Sequence, residues 1–61
     1  MQDHFLKSEE LASRWRTTVG SLKTQRYRGR GPAYVKRGAS VLYRLSDVEA
    51  YEEAQTRGTA A

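Results

Sequence analysis

The residues best suited to binding chemistry in this chain are its cations. Nine Arg and Lys residues lie between Arg14 and Arg44, counting both ends, and no Asp or Glu falls among them. All seven acidic residues lie outside that span, towards the two ends of the chain. A basic central segment between acidic ends predicts a surface that binds a polyanion. The alternative is a basic surface that is merely solvated.

Catalytic and metal chemistry find little support in the residue types. His4 is the only histidine, the chain has no cysteine, and no carboxylate cluster lies near His4, so we expect no metal site. The Ser and Asp residues form no apparent nucleophile–base pair, and 61 residues leave little room for a closed pocket. We therefore expect neither an enzyme nor a cofactor.

Composition also bears on location. The absence of cysteine excludes a disulfide and fits a reducing, cytoplasmic compartment. No apolar run is long enough to span a membrane, and the first residues lack the apolar core of a signal peptide. We expect a cytoplasmic protein without membrane contacts, bound to the nucleoid when it is engaged.

The segment KSEELASRWR predicts a first helix. Ser8 is the expected N-cap, and the two glutamates after it favour the positive end of the helix dipole. Leu11, Ala12 and Trp15 then form one apolar stripe, and Trp15 is expected in the core.

The segment TTVGSLKTQRY predicts a second helix, capped by Thr18 after a short link. Only Val19 and Leu22 share an apolar face, and the other positions are small, polar or basic. A helix this polar is anchored by a narrow stripe and shows its remaining surface to water or to a ligand.

The segment RGRGP ends that helix, because Gly29 can adopt the left-handed conformation and Pro32 cannot continue the hydrogen-bond ladder. AYVK and VLYR then predict two short strands joined by residues 37–40. We expect three of their residues to face inward: Val35, Val41 and Tyr43. The tyrosines of the hairpin, Tyr34 and Tyr43, are assigned to core packing rather than to stacking on bases.

The segment LSDVEAYEEAQTR predicts a last helix. Ser46 and Glu49 have the spacing of a reciprocal capping pair, and Gly58 is the expected stop. The predicted core stripe of this helix consists of Val48, Tyr51 and Ala54.

The element order predicts an α+β, mostly helical fold: a winged helix-turn-helix, with a two-stranded β-hairpin as the wing and a C-terminal helix. We assign residues 6–57 to this domain, and residues 1–5 and 58–61 to flexible termini. A chain of this length buries only about 60% of its unfolded surface, so we expect a marginal stability.

Three motifs in order carry a family resemblance: GRGPAYVKRG, VLYR and SDVEAY. From about Leu6 to Glu53 the sequence resembles small winged-helix proteins of the excisionase and AlpA type, which are related to the DNA-binding domains of MerR-like regulators. The resemblance implies binding of double-stranded DNA. Excisionases are recombination directionality factors for the integrases of phages and other mobile elements, whereas AlpA-type members regulate transcription.

The candidate DNA-binding residues fall into three groups. The open side of the second helix can enter a major groove, the arginines after it are expected to meet phosphates, and the hairpin tip is expected to reach an adjacent minor groove. The full set is Thr18, Gly20, Ser21, Lys23, Thr24, Arg26, Arg28, Arg30, Lys36, Arg37 and Ser40.

Our first functional hypothesis is an excisionase-like factor that binds and bends attachment-site DNA and so promotes excision by an integrase. Gly20 and Ser21 stand where larger polar residues are common in the family, which favours several copies bound to adjacent sites. The alternative is a small AlpA-like transcriptional regulator. A third hypothesis, from another class, is a protein-interaction module in which Glu49, Glu52 and Glu53 of the last helix dock a basic partner.

Overall fold

The computed structural model describes residues 4–59, with side chains described for residues 4–56. This part of the chain is an α+β unit of three helices and a three-stranded antiparallel sheet with strand order β1-β3-β2. The elements in chain order are β1 (Phe5–Lys7), α1 (Ser8–Trp15), α2 (Val19–Tyr27), β2 (Val35–Arg37), β3 (Ser40–Arg44) and α3 (Leu45–Thr59). The helices and the hairpin strands lie where the sequence predicted them.

Strand β1 is a third strand that the sequence did not predict. Leu6 pairs with Tyr43, and the Leu45 N–H donates to the carbonyl of His4 at 2.7 Å. Phe5 belongs to this strand although residues 1–5 were expected to be flexible; residues 1–3 lie outside the described part of the chain. Three residues are too few to show alternation, so pairing with β3 is what defines this strand.

Helix α1 begins one residue earlier than a Ser8 cap requires. Ser8 is itself helical, so its assignment as N-cap is wrong, and the Lys7 N–H donates instead to a carboxylate oxygen of Glu10 at 2.7 Å. The helix ends at Trp15, its C-cap Arg16 has φ 56°, and the Thr17 N–H closes the turn on the carbonyl of Ala12 at 2.8 Å. A turn this tight brings α2 directly after α1.

Both predicted ends of α2 are confirmed. The Ser21 N–H donates to the hydroxyl oxygen of Thr18 at 3.0 Å, so Thr18 is the N-cap. At the other end Gly29 has φ 71°, and the Arg30 N–H returns to the carbonyl of Gln25 at 2.8 Å. Glycine adopts this left-handed conformation without the steric penalty of a Cβ.

The β2–β3 hairpin has a two-residue turn, since Arg37 pairs with Ser40 and Gly38 has φ 59°. The register pairs Lys36 with Val41, and Val35 with Leu42. Because strand side chains alternate between faces, Val35 lies on the face opposite to Val41 and Tyr43, and the prediction that all three face inward is wrong for Val35.

Helix α3 begins at Leu45 and continues through Gly58 to Thr59. Ser46 therefore lies inside the first turn rather than at the cap, and Gly58 is not the stop; residues 60 and 61 lie outside the described part. Of the predicted core stripe, Val48 is buried, Tyr51 is half-buried and Ala54 is exposed.

The core lies between the helices and one face of the sheet. Leu6, Trp15 and Val41 pack around its edge, and burial of each large apolar side chain contributes about 1.5–3 kcal/mol. The buried residues of this hydrophobic core are Leu11, Ala12, Leu22, Tyr43 and Val48. Within residues 4–59, no helix has the length and apolar character needed to cross a membrane.

Candidate nucleic-acid interface

Helix α2 presents a small, polar outer surface. Leu22 is its one buried residue, while Gly20, Ser21, Lys23 and Thr24 are all exposed, as the sequence predicted. The hydroxyl of Thr24 donates to the carbonyl of Gly20 at 3.1 Å, which leaves its oxygen lone pairs available as acceptors. This surface can therefore approach a ligand closely and offer it short polar groups.

An open groove of about 230 Å³ separates α2 from the hairpin. Lys23 and Tyr27 line it from α2, and Lys36 lines it from β2. The remaining lining residues are Arg26, Tyr34 and Val41. We call this the hairpin-side groove; no acidic residue lines it, so its cations and aromatic rings suit a polyanion.

Arg26 fixes α2 to the hairpin. Its guanidinium donates to the hydroxyl of Tyr43 at 2.6 Å and lies 5.6 Å from the ring centroid of Tyr34 and 5.9 Å from that of Tyr43. The two rings are themselves 6.2 Å apart. Tyr43 is in the core, as expected, whereas Tyr34 is 45% exposed. Arg26 is thus half-buried in cation–π contacts, and its main contacts are internal.

A second groove, of about 360 Å³, lies on the opposite flank of α2. Its lining combines hydroxyls, an amide and two guanidinium groups, again without an acidic residue. The lining residues are Ser21, Thr24, Gln25, Arg28, Arg30 and Tyr51. We call this the α3-side groove. Every one of these side chains offers a hydrogen-bond donor, so the groove suits an anion.

The hairpin tip divides its cations between two directions. Lys36 lies on the sheet face shared with Val41, whereas Arg37 lies on the other face, paired with Ser40. Ser40 lines a third groove that also contains Glu9, so the structure places it apart from Lys36. The predicted tip set therefore forms two surfaces rather than one.

The cations at the two ends of the acid-free span are paired with carboxylates of α3. The guanidinium of Arg14 donates two hydrogen bonds to Glu52, at 2.7 and 2.8 Å, and the indole N–H of Trp15 donates a third at 2.6 Å. The hydrogen bonds from Arg14 and then Trp15 lower the pKa of Glu52 to about 2, and the hydrogen bond to Glu52 raises the pKa of Arg14. Arg44 lies 3.9 Å from Asp47.

The interior of the span differs from its ends. Among residues 4–56, no carboxylate forms a salt bridge with any of the five cations around α2 and the hairpin tip. These five are Lys23, Arg28, Arg30, Lys36 and Arg37. Their charge is available to an external anion.

Five residues that line these grooves were not among the predicted DNA-binding residues: Gln25, Tyr27, Tyr34, Val41 and Tyr51. Tyr27 is 92% exposed, and helical spacing from Gly20 and Thr24 could have identified it as outward-facing. Tyr51 had no such signal, because it comes from α3 and meets α2 only in the folded chain. Among the described residues, no group of His, Cys, Asp or Glu has the arrangement of a metal site.

Comparison of the chain with protein families, with curated proteins and with solved structures found no match. The functional argument therefore depends on the residues and their geometry.

Proposed function

We propose that the protein binds double-stranded DNA as a winged helix-turn-helix, with α2 in the major groove and the β2–β3 hairpin as the wing. The observation that carries this proposal is the hairpin-side groove, in which Lys23 and Lys36 flank exposed tyrosines with no acidic residue in the lining. B-DNA offers a phosphate backbone to such cations and base edges to the polar face of a helix.

The arrangement of charge on both flanks of α2 supports the same docking. A helix in the major groove lies between two phosphate backbones, and each flank of α2 carries cations that no described carboxylate pairs with. Lys23 and Lys36 face one backbone, and Arg28 and Arg30 face the other. Arg37, on the opposite face of the hairpin, extends towards the adjacent minor groove, where negative potential favours arginine.

Base contacts come from the exposed face of α2. Gly20 has no side chain, and a Cβ built there meets only the Thr18 hydroxyl oxygen, at 3.9 Å, so the backbone can approach the groove floor closely. Ser21 and Thr24 then offer short hydroxyls to base edges. Thr18 combines capping with a position at the N-terminal end of α2, the end at which recognition helices contact bases.

Within DNA-binding proteins, we propose an excisionase-like recombination directionality factor acting in the cytoplasm with an integrase. The support is the family resemblance over Leu6 to Glu53 together with the small interface. A module of this kind buries on the order of 600–1,000 Å² of protein surface, which is too little for high specificity alone. Several copies on adjacent sites would compensate and would bend the duplex between them. The AlpA-like regulator is the alternative, since the resemblance covers both groups.

The interaction-module hypothesis loses support. Glu52 lies in the middle of the three glutamates proposed to dock a partner, and its carboxylate accepts hydrogen bonds from Arg14 and Trp15. Detaching it would break a contact between α1 and α3, so this carboxylate is not available to a basic partner.

Fluorescence anisotropy on a random-sequence duplex tests DNA binding. Five phosphate contacts predict a slope of about −4.5 for log affinity against log salt concentration, and a Lys36→Ala variant should lower its magnitude by about 0.9. Arg44→Ala is the control, because it removes one positive charge at the end of β3, beside Asp47 and outside the three grooves. No binding at low salt, or an equal effect of Arg44→Ala and Lys36→Ala, would contradict the proposal.

An in vitro recombination assay separates excisionase from regulator. With an integrase and its attachment-site DNA, the protein should increase excision and suppress integration, and a footprint should extend stepwise as its concentration rises. Tight binding at a promoter with no change in recombination would favour the AlpA-like alternative.

A further inference from the structure

Tyr27 is the most exposed large side chain among the apolar and aromatic residues described here. It is 92% exposed, whereas the other exposed members of that class, Phe5, Val19 and Tyr34, are between 41% and 45% exposed. Within the described residues, its side chain makes no hydrogen bond and no ring contact. Folding therefore leaves the whole ring in water, so packing in the core does not explain a tyrosine at this position.

The position of Tyr27 on α2 indicates what the ring faces. Residues three, four and seven apart share a helical face, so Tyr27 lies in line with Gly20 and Thr24. Lys23 is beside it, and the hairpin-side groove continues from Tyr27 to Lys36. The ring thus stands on the outward face of α2 with cations at its edge, an environment that favours a polyanionic partner over an apolar protein surface.

We infer that Tyr27 reads sequence by packing its ring on the C5-methyl group of a thymine in the major groove. This inference rests on the proposed docking of α2. Thymine is the base that presents an apolar group in the major groove, and an exposed aromatic ring gains by covering it. Phosphates offer no such apolar partner, and the neighbouring lysines already supply cations for them.

The length of the side chain fits this assignment. In helix-turn-helix proteins the N-terminal residues of the recognition helix lie nearest the bases, and Tyr27 is the last residue of α2. A short residue there would not reach the groove floor. Tyrosine spans the gap with a rigid ring, and with only two side-chain torsions it loses little conformational entropy on binding.

Selection from a randomised duplex library tests the inference, because the enriched sequences themselves reveal the target. The wild type should enrich thymine at one position or more, and Tyr27→Ala should lose that enrichment while keeping the preferences at other positions. Tyr27→Phe should keep it, because the ring and not the hydroxyl covers the methyl group. Circular dichroism should show the same unfolding midpoint for Tyr27→Ala as for the wild type, since the ring has no packing partner to lose.

Comparing thymine with deoxyuridine in the wild type and in Tyr27→Ala then isolates the contribution of the methyl group to binding. Replacing the selected thymine by deoxyuridine should weaken wild-type binding about fourfold, the contribution of one buried methyl group, and should leave binding by Tyr27→Ala unchanged. Lys36→Ala is the control, because a phosphate contact leaves the deoxyuridine effect intact while lowering affinity for every sequence.

The outcomes separate this inference from the proposed function. If the wild type binds no duplex, the proposed function itself fails. If it binds with sequence preference but Tyr27→Ala keeps the same preference, or loses affinity equally on all sequences, Tyr27 is not a base-reading residue. Equal deoxyuridine sensitivity in the wild type and Tyr27→Ala would overturn the methyl contact specifically.

Discussion

Removing the charge of Glu52 should destabilise the fold, because this carboxylate joins α1 to α3. Its pKa is about 2 in the folded protein, against 4.5 for a free glutamate. Without solvent screening, this difference corresponds to a contribution of roughly 3 kcal/mol to the free energy of unfolding. The side chain is 32% exposed, and solvent screening reduces that contribution to about 1 kcal/mol. For a domain of this size, such a loss lowers the unfolding midpoint by about 4–8 °C.

The same contact predicts a pH dependence with a defined sign. Because folding lowers the pKa of Glu52, its contribution is present above pH 4.5 and is lost as the pH falls from 4.5 towards 2. Wild-type stability should therefore decrease over that window, and Glu52→Gln should show a smaller decrease. Gln keeps one oxygen that can accept from the indole N–H of Trp15 and from Nε of Arg14, but its amide nitrogen cannot accept from Nη2 of Arg14. The difference therefore reports the charge together with one hydrogen bond.

Thermal and urea unfolding at pH 7 and pH 3 provide the measurement, followed by circular dichroism and by the fluorescence of Trp15, the only tryptophan in the chain. Glu53→Gln is the matched control, since it removes the same charge from the next, exposed position of α3, which does not act on Arg14, and it should change stability by less than about 0.5 kcal/mol. Equal unfolding midpoints for wild type and Glu52→Gln at pH 7, or equal losses of stability between pH 7 and pH 3, would refute the reasoning.

Three further substitutions test the packing that holds the two grooves in place. Leu22→Ala leaves a cavity at a buried site and should lower the free energy of unfolding by about 2–5 kcal/mol. Circular dichroism should then show that much of the marginally stable domain is unfolded at 37 °C. Gly31→Ala should lower the urea midpoint, because Gly31 has φ 88°, a left-handed conformation that is unfavourable for a residue with a Cβ; an unchanged midpoint would contradict this. Tyr43→Phe removes the hydroxyl that accepts from Arg26 and should cost about 1–2 kcal/mol in chemical denaturation, whereas Tyr27→Phe should cost nothing measurable.

Predictions about local structure succeeded where a few neighbouring residues decide the conformation. Thr18 caps α2, and Gly29 takes the left-handed conformation at its end, as their residue types indicated. The predictions for Ser8, Ser46 and Gly58 were wrong because more than one residue near each helix end can serve as the boundary. At α1 the backbone uses Glu10 instead of the Ser8 hydroxyl.

For the candidate site, the sequence indicated the residue types but not their arrangement. The sequence indicated an acid-free set of cations, and the structure distributes them over two flanks of α2 and two faces of the hairpin. Because neighbouring residues of a strand point to opposite faces, the sequence alone could have placed Lys36 and Arg37 on opposite faces of the hairpin. The internal role of Arg26 could not be foreseen, because its partner Tyr43 is 17 residues away and only the folded hairpin brings it close.

The sequence by itself determined the helices, the glycine turns and the separation of acidic from basic residues, since each depends on residue type and on hydrogen bonds spanning a few positions. Tertiary structure decided which charges are available. Glu52 pairs with Arg14 across 38 positions, strand β1 exists only through its pairing with β3, and Tyr27 is exposed because no other element within residues 4–56 packs over it. Contacts between distant positions depend on the path of the whole chain, and only the folded chain distinguishes the paired cations from those free to meet an anion.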